Sequence, residues 1–410
     1  MNGYLIFILA VLLGSYILDQ IVRYLNLKSL SSDLPEEFVG HYDGDKYAKS
    51  QQYSREGSRF GVIVETFDII LIVGFILWGG FNWIDNVARS LGWSAIPTGL
   101  LFVGILGIGS QLLHLPFSIY STFVIEEKYG FNLTTAKTFV LDLLKGLLLT
   151  IIIGGAVLAL ILWFFVETGE LAWLYVWVAL TIFQIFMMFI APVVIMPIFN
   201  KFTPLEDGEL KDAILQYTAK QDFKMGGIFT IDGSRRSSKA NAFFTGFGKF
   251  KRIALFDTLI EKQSVSELLC VLAHEIGHSK LGHIPKIIIT SILSTGLMLF
   301  ILSLFINSPG LFEAFRMDNI SIYASITFFS FIYSPVSMVI GLANTITSRR
   351  HEYQADRYAA QTTGNTEAMI TALKKLSVSS LSNLTPHPLK VFLEYDHPPV
   401  LDRIKALRAL

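Results

Sequence analysis

SVSELLCVLAHEIGHSK, residues 264–280, is the stretch from which the fold of this chain can be read. Ser264 and Glu267 have the spacing of a capping box, in which hydroxyl and carboxylate each satisfy a free backbone N–H at a helix start. A helix is therefore predicted from here, closing before Gly282 and Pro285. Within it His274 and His278 are four residues apart and share a face, so their imidazoles can hold one metal ion between them. Glu275 lies one position round, within reach of a water on that ion. The plain alternative is a helix with two satisfied histidines and a surface glutamate.

Catalytic zinc takes three protein ligands and keeps a fourth position for water, so a third ligand has to come from elsewhere. The stretch SRRHEYQAD, residues 348–356, offers it. Glu352 and Asp356 are also four apart and share a helix face. Glu352 closes a set of two histidines and one glutamate. Asp356 can then accept a hydrogen bond from the free ring nitrogen of a ligand histidine and fix its tautomer. Taken alone, an acid pair at this spacing reads as a solvated helix face. Zinc so held acidifies water and polarises a peptide carbonyl. Glu275 would take the proton of the attacking water and pass it to the leaving amine.

The rest of the chain says where this chemistry sits. Of its 410 residues 52% are hydrophobic and 16% charged, with a mean hydropathy of +0.53. Soluble domains carry about a quarter charged residues. The apolar residues come in runs long enough to cross a bilayer, near 3–25, 62–84, 98–123, 142–166, 171–195, 286–308 and 320–345, about seven in all. The first run is too long for a signal peptide and lacks a basic n-region, so it reads as a retained span with its N-terminus outside. Lys28, Lys46, Lys49, Arg55, Arg59, Lys128 and Lys137 mark the first and third loops as cytosolic, together with segment 200–285 and the tail after Thr347. The motif therefore belongs on the cytosolic side, and the charge bias suits a bacterial inner membrane or the ER. A net charge of zero offers no field for nucleic acid, and a single cysteine, Cys270, excludes an intrachain disulfide.

Four parts are expected. Residues 1–199 hold five spans and their loops. Residues 200–285 hold a polar segment with the motif helix, 286–345 two further spans, and 346–410 a second polar segment with the third ligand. In the first polar segment Lys211–Gln221 reads as a helix and Ile228–Asp232 as a strand. Asn241–Phe247 and Lys251–Phe256 read as a hairpin turning at Gly246–Gly248, with Asn241–Phe244 able to pair with an extended substrate. In the second, helices are expected at about Thr347–Thr362, Thr366–Leu376 and Pro399–Ala409, with Ser377–Pro398 as loop. Cys270 reads as a small buried hydrophobe, with a competing metal ligand as the alternative, and His283 as an interfacial histidine at the membrane boundary, with a place behind the metal ligands as the alternative. His114, Gln111 and Gln184, inside spans, should face the protein interior or water.

These motifs together resemble a known family. HEIGH at 274–278 followed by EYQAD at 352–356 resembles the M48 metallopeptidases, and more closely the seven-span CAAX prenyl proteases of the Ste24 type. FVIEEKYGFN at 123–132, PIFNKFTPL at 197–205, DGSRRSSKANAFFTGFGK at 232–249 and DHPPVLDRI at 396–404 carry the same likeness. The resemblance implies one zinc on His274, His278 and Glu352, with Glu275 as general base. It also implies that Asn241, His397 and Arg403 approach the site to orient substrate or stabilise the oxyanion. It further implies membrane helices enclosing a chamber, and cleavage near the C-terminus of CAAX-type, prenylated peptides. The expected class is mainly α: a polytopic membrane protein with about seven transmembrane helices and a zincin-like metallopeptidase domain carrying a small β-hairpin or sheet. The competing readings are a quality-control protease of the heat-shock M48 type and a transporter with an incidental HExxH.

Overall fold

The computed structural model describes residues 2–245 and 252–410. The turn expected at Gly246–Gly248 lies outside them. Among the described residues seven helices are long and apolar enough to cross a membrane: Gly3–Lys28, Gly44–Trp78, Ala95–Tyr129, Ala136–Glu167, Gly169–Phe199, His283–Phe305 and Ile322–Thr363. The shortest has 23 residues, about 35 Å of helix, against a hydrocarbon core about 30 Å thick. Ile182, Ile289, Leu293, Leu304 and Val339 on these helices are more than half exposed. A lateral apolar surface of this kind needs lipid around it.

Polar groups in the spans join neighbouring helices. Arg23 pairs with Glu65 between the first two spans. His114 Nε2 lies 2.7 Å from Asp68 Oδ1 between the second and third. The Gln184 amide donates to Ser291 Oγ at 3.2 Å between the fifth and sixth. The second span departs from the expected 62–84. Its helix begins at Gly44, well inside the polar loop, and stops at Trp78, where Gly79 turns the backbone into the left-handed region at φ 84°. A separate helix, Gly80–Arg89, then buries Phe81, Ile84 and Ala88. Hydropathy could not see this stop, because the glycine interrupts the hydrogen-bond ladder and not the apolar run.

The polar half contains a sheet larger than the expected hairpin. Strands β1 (Phe202–Pro204), β2 (Gly227–Ile231), β3 (Ala242–Thr245) and β4 (Arg252–Phe256) lie in the order β1-β2-β4-β3. β2 runs parallel to β4, and the other two pairs are antiparallel. β1 is only three residues long, with a proline at its end, too short for an alternating pattern to register. The polar half also contains helices α1 (Glu209–Lys220), α2 (Val265–Lys280), α3 (Thr366–Ser379), α4 (Pro388–Glu394) and α5 (Val400–Arg408). Ile214, Ile253, Leu255, Leu268, Leu272, Ile276, Ile370 and Leu407, from the sheet and from α1, α2, α3 and α5, form one buried core.

α4 falls where a loop was expected. Pro388 occupies its first turn, where the missing N–H costs nothing. Arg349 closes its far end by donating to the carbonyls of Val391 at 2.9 Å and Tyr395 at 2.5 Å. Both stabilising contacts come from backbone position, which composition does not report.

The expected boundary at 345/346 does not interrupt the backbone. The seventh span and the helix carrying Glu352 are one helix of 42 residues, Ile322–Thr363, about 63 Å long. The apolar run stops near 345, but nothing in the sequence caps the helix there. α2 crosses its distal end closely. A methyl on Gly277 would stand 3.1 Å from Tyr358 Cδ1 and 3.3 Å from Ala355 Cα, so a glycine at this point allows the approach.

Candidate metal centre

The capping box at the start of α2 is formed. The Ser264 N–H donates to Glu267 Oε2 at 2.8 Å, and the Glu267 N–H donates to Ser264 Oγ at 3.4 Å. Lys375 donates to the same Glu267 carboxylate at 2.7 Å and ties the helix start to α3. The core face of α2 (Leu268, Leu272, Ala273, Ile276) is fully packed, which sets the rotation of the helix. That rotation brings His274, His278 and Glu352 together: their ligand atoms lie within 4.8 Å of one another.

The two Nε2 atoms are 3.1 Å apart. His274 Nε2 is 3.4 Å from Glu352 Oε2, and His278 Nε2 is 3.2 Å from Glu352 Oε1. A tetrahedral ion with bonds of about 2.0–2.1 Å sets its ligands about 3.3 Å apart, so the triangle has the size such an ion demands. Glu352 is 4% exposed, and its Oε2 is buried without a hydrogen-bond partner. The Arg403 guanidinium stands 3.5 Å from that oxygen without hydrogen-bonding it, which leaves the oxygen able to take a metal ion. The residues therefore fit a metal of the zinc kind.

Surrounding groups orient the ligands. Asp356 Oδ1 lies 2.8 Å from His274 Nδ1, the position expected of it. Arg403 grips Asp356 with two parallel hydrogen bonds, Nε to Oδ2 at 2.7 Å and Nη2 to Oδ1 at 2.6 Å, and sets Nη1 3.5 Å from Glu352 Oε2. Burial opposes a charge on His274, but the Asp356 and Glu352 carboxylates outweigh it and lift that imidazole to about 9. The cluster thus attracts positive charge at the place where the metal would sit. Burial raises the Glu275 carboxyl above its usual range, with Glu352 adding to the effect and the imidazoles opposing it. A carboxylate moved that way is a better proton acceptor near neutral pH.

His274, Glu275 and Glu352 open onto a cleft of about 630 Å³ that Asn241, His397 and Arg403 also line. His397 is mostly exposed there, with Nε2 3.5 Å from Glu352 Oε1 and Nδ1 2.9 Å from Asp396 Oδ1. Asn241 stands at the start of edge strand β3, and its side chain accepts from the Ala242 N–H at 2.9 Å. All eight residues singled out for the site converge on this one region.

Cys270 is buried, its thiol is pushed up by burial, and its nearest polar partners are Thr363 and Asn365 rather than the metal set. His283 takes the alternative of its two expected placements, behind the candidate ligands rather than at the membrane interface. It is fully buried, with Nδ1 3.1 Å from His278 Nδ1 and Nε2 2.8 Å from Gln354 Oε1, and His351 stacks on it at 3.9 Å. The available signal was its place five residues after His278 (across the end of α2), together with Gln354 two residues beyond Glu352.

A bundle of membrane helices that carries a largely buried two-histidine, one-glutamate cluster beside a cleft defines an integral-membrane metallopeptidase. Comparison with known proteins agrees. Residues 23–201 match the family described as CAAX prenyl protease N-terminal, five membrane helices, and residues 204–410 match peptidase family M48. The chain belongs to peptidase family M48 and is a multi-pass metalloendopeptidase acting on peptides. It is 36% identical to the CAAX prenyl protease 1 homolog of Oryza sativa, over 91% of this chain and 90% of that protein. It is 34% identical to CAAX prenyl protease 1 of Saccharomyces cerevisiae, over 96% and 93%. The crystal structure of S. mikatae Ste24p superposes with a TM-score of 0.94 at 34% identity, over 99% of both chains.

Proposed function

We propose that this chain is a zinc endopeptidase that cleaves near the C-terminus of CAAX-type, prenylated peptides. The reading is carried by the triangle of His274, His278 and Glu352, with Glu275 beside it in the same cleft. The CAAX specificity of the named relatives supports the substrate class.

The chain's own residues divide the work. His274, His278 and Glu352 hold the ion. Asp356 holds His274 in the tautomer that presents Nε2, and Arg403 holds Asp356. Bound zinc would supply an acidified water and a Lewis acid for the carbonyl. Glu275 accepts the proton of the attacking water and returns it to the leaving amine, so the amine departs neutral. Asn241 offers an amide, and His397 an imidazole, to the substrate backbone at the rim of the cleft. Among the described residues β3 is the edge strand on the side away from β4, and an extended peptide can add to that edge by backbone hydrogen bonds.

A panel of short peptides with and without a C-terminal farnesylated CAAX sequence tests the proposal. We expect one cut near the CAAX cysteine, found by mass spectrometry, and faster cutting when the lipid is present. Cleavage of an unfolded membrane protein together with no cleavage of either CAAX peptide would overturn the substrate class in favour of quality control.

The polar half lies on the cytosolic side in this proposal, because Lys and Arg crowd the loops that adjoin it. A reporter active only in the cytosol, fused after Leu410, is expected to be active. Activity confined to a reporter that works only outside the cytosol would reverse the topology.

A further inference from the structure

Zinc ligation places a requirement on His278 that Asp356 does not meet. To present the Nε2 lone pair to the ion, the ring must carry its proton on Nδ1, and that N–H needs an acceptor. For His274 the acceptor is a carboxylate. For His278 the group facing Nδ1 is a second imidazole, at His283 Nδ1, 3.1 Å away. Two facing ring nitrogens share one proton, so the donor is decided by what lies at either end. If His278 gives its Nε2 to metal, His278 Nδ1 donates and His283 Nδ1 accepts. The His283 proton must then sit on Nε2, where it is donated to Gln354 Oε1 at 2.8 Å. Each link follows from the one before.

The same atoms permit the opposite direction. A Gln354 that turned its NH₂ inward would donate to His283 Nε2 and move that ring's proton to Nδ1. His283 would then donate to His278 Nδ1 and force the His278 proton onto Nε2, where it blocks the metal. The structure holds His283 firmly for this task. Gly282, at φ 69°, turns the chain from α2 into the sixth span and starts that helix at His283. The ring of His351 lies on the His283 ring at an interplanar angle of 10°. Gln354 lies on the exposed side of the long helix, beyond this buried ring pair.

We propose that His283 and Gln354 are positioning residues that keep His278 in the tautomer open to the metal. This rests on the zinc reading above. The test uses the purified full-length protein, stripped of metal and titrated with zinc against a chromophoric chelator. Gln354→Glu offers only acceptors to His283, and Gln354→Lys offers only donors. Gln354→Glu is expected to bind zinc as wild type does, and the His283→Asn background separates the direction of the proton from the charge introduced at Gln354. Gln354→Lys is expected to bind it 10–100-fold more weakly, roughly the range for loss of a partner outside the ligands. Equal affinities for the two variants would overturn the proposal.

His283→Asn supplies a second reading, because an amide oxygen near the Nδ1 position accepts from His278 without help from Gln354. In that background the Gln354→Lys penalty should vanish; a penalty of the same size there would also overturn the proposal. Failure of the wild type to bind one zinc per chain would instead remove the zinc reading, and is seen in the same titration.

Discussion

Glu275→Gln is expected to bind one zinc per chain with near wild-type affinity and to hydrolyse peptide more slowly by roughly 10²–10⁴-fold, the usual contribution of a general base. The substitution is nearly isosteric, and Glu275 is not one of the three groups whose ligand atoms converge. The metal set and its surrounding hydrogen bonds are therefore left alone. What is lost is an ionisable oxygen over the cleft, whose affinity for protons burial has raised. Metal content by mass spectrometry and single-turnover rates on the farnesylated peptide check the two halves separately. Turnover within a few-fold of wild type would take Glu275 out of the proton-transfer role. Zinc loss in this variant would show that it acts on the ion itself.

Glu352→Ala should lose both. Two imidazoles remain, but the third corner of the triangle disappears, and with it the negative charge next to them. Loss of an orienting partner alone costs roughly 10–100-fold in metal affinity, and loss of a ligand should exceed that. The variant should come through purification with little zinc and remain inactive when micromolar zinc is added. The long helix should still form, since alanine favours helix, so its far-ultraviolet circular dichroism is expected to match wild type. Full zinc content in Glu352→Ala would point to another third ligand, with His397, 3.5 Å from the same carboxylate, the first to examine.

How much of this was legible depends on whether the signal was local. The α2 helix, its capping box and the shared face of its two histidines are matters of spacing within one turn or two. The Glu352 and Asp356 pair has the same four-residue logic, and the seven spans follow from hydropathy to within a few residues at most ends. Features set by distant packing were not visible in residue spacing. Arg403 is reached through the family resemblance alone, and its grip on Asp356 is not foreseen, because in spacing it looks like any basic residue of a surface helix until α5 docks. His283 stands at a polar-to-apolar border, which suits an interfacial residue, and only the closeness of the long helix buries it. The missed continuity of the seventh helix has a related cause. Solvent polarity changes along it, but its backbone hydrogen bonds do not.

That continuity bears on how the protein is made. The histidine pair precedes two candidate membrane crossings, and Glu352, the third member of the proposed metal set, rides on the far end of the second. During synthesis the paired imidazoles emerge first, with no acid to join them. The centre is completed only after the last hydrophobic helix has been inserted and its extension has folded back against α2. A chain made only as far as the sixth span therefore carries two of the three candidate ligands and lacks the third.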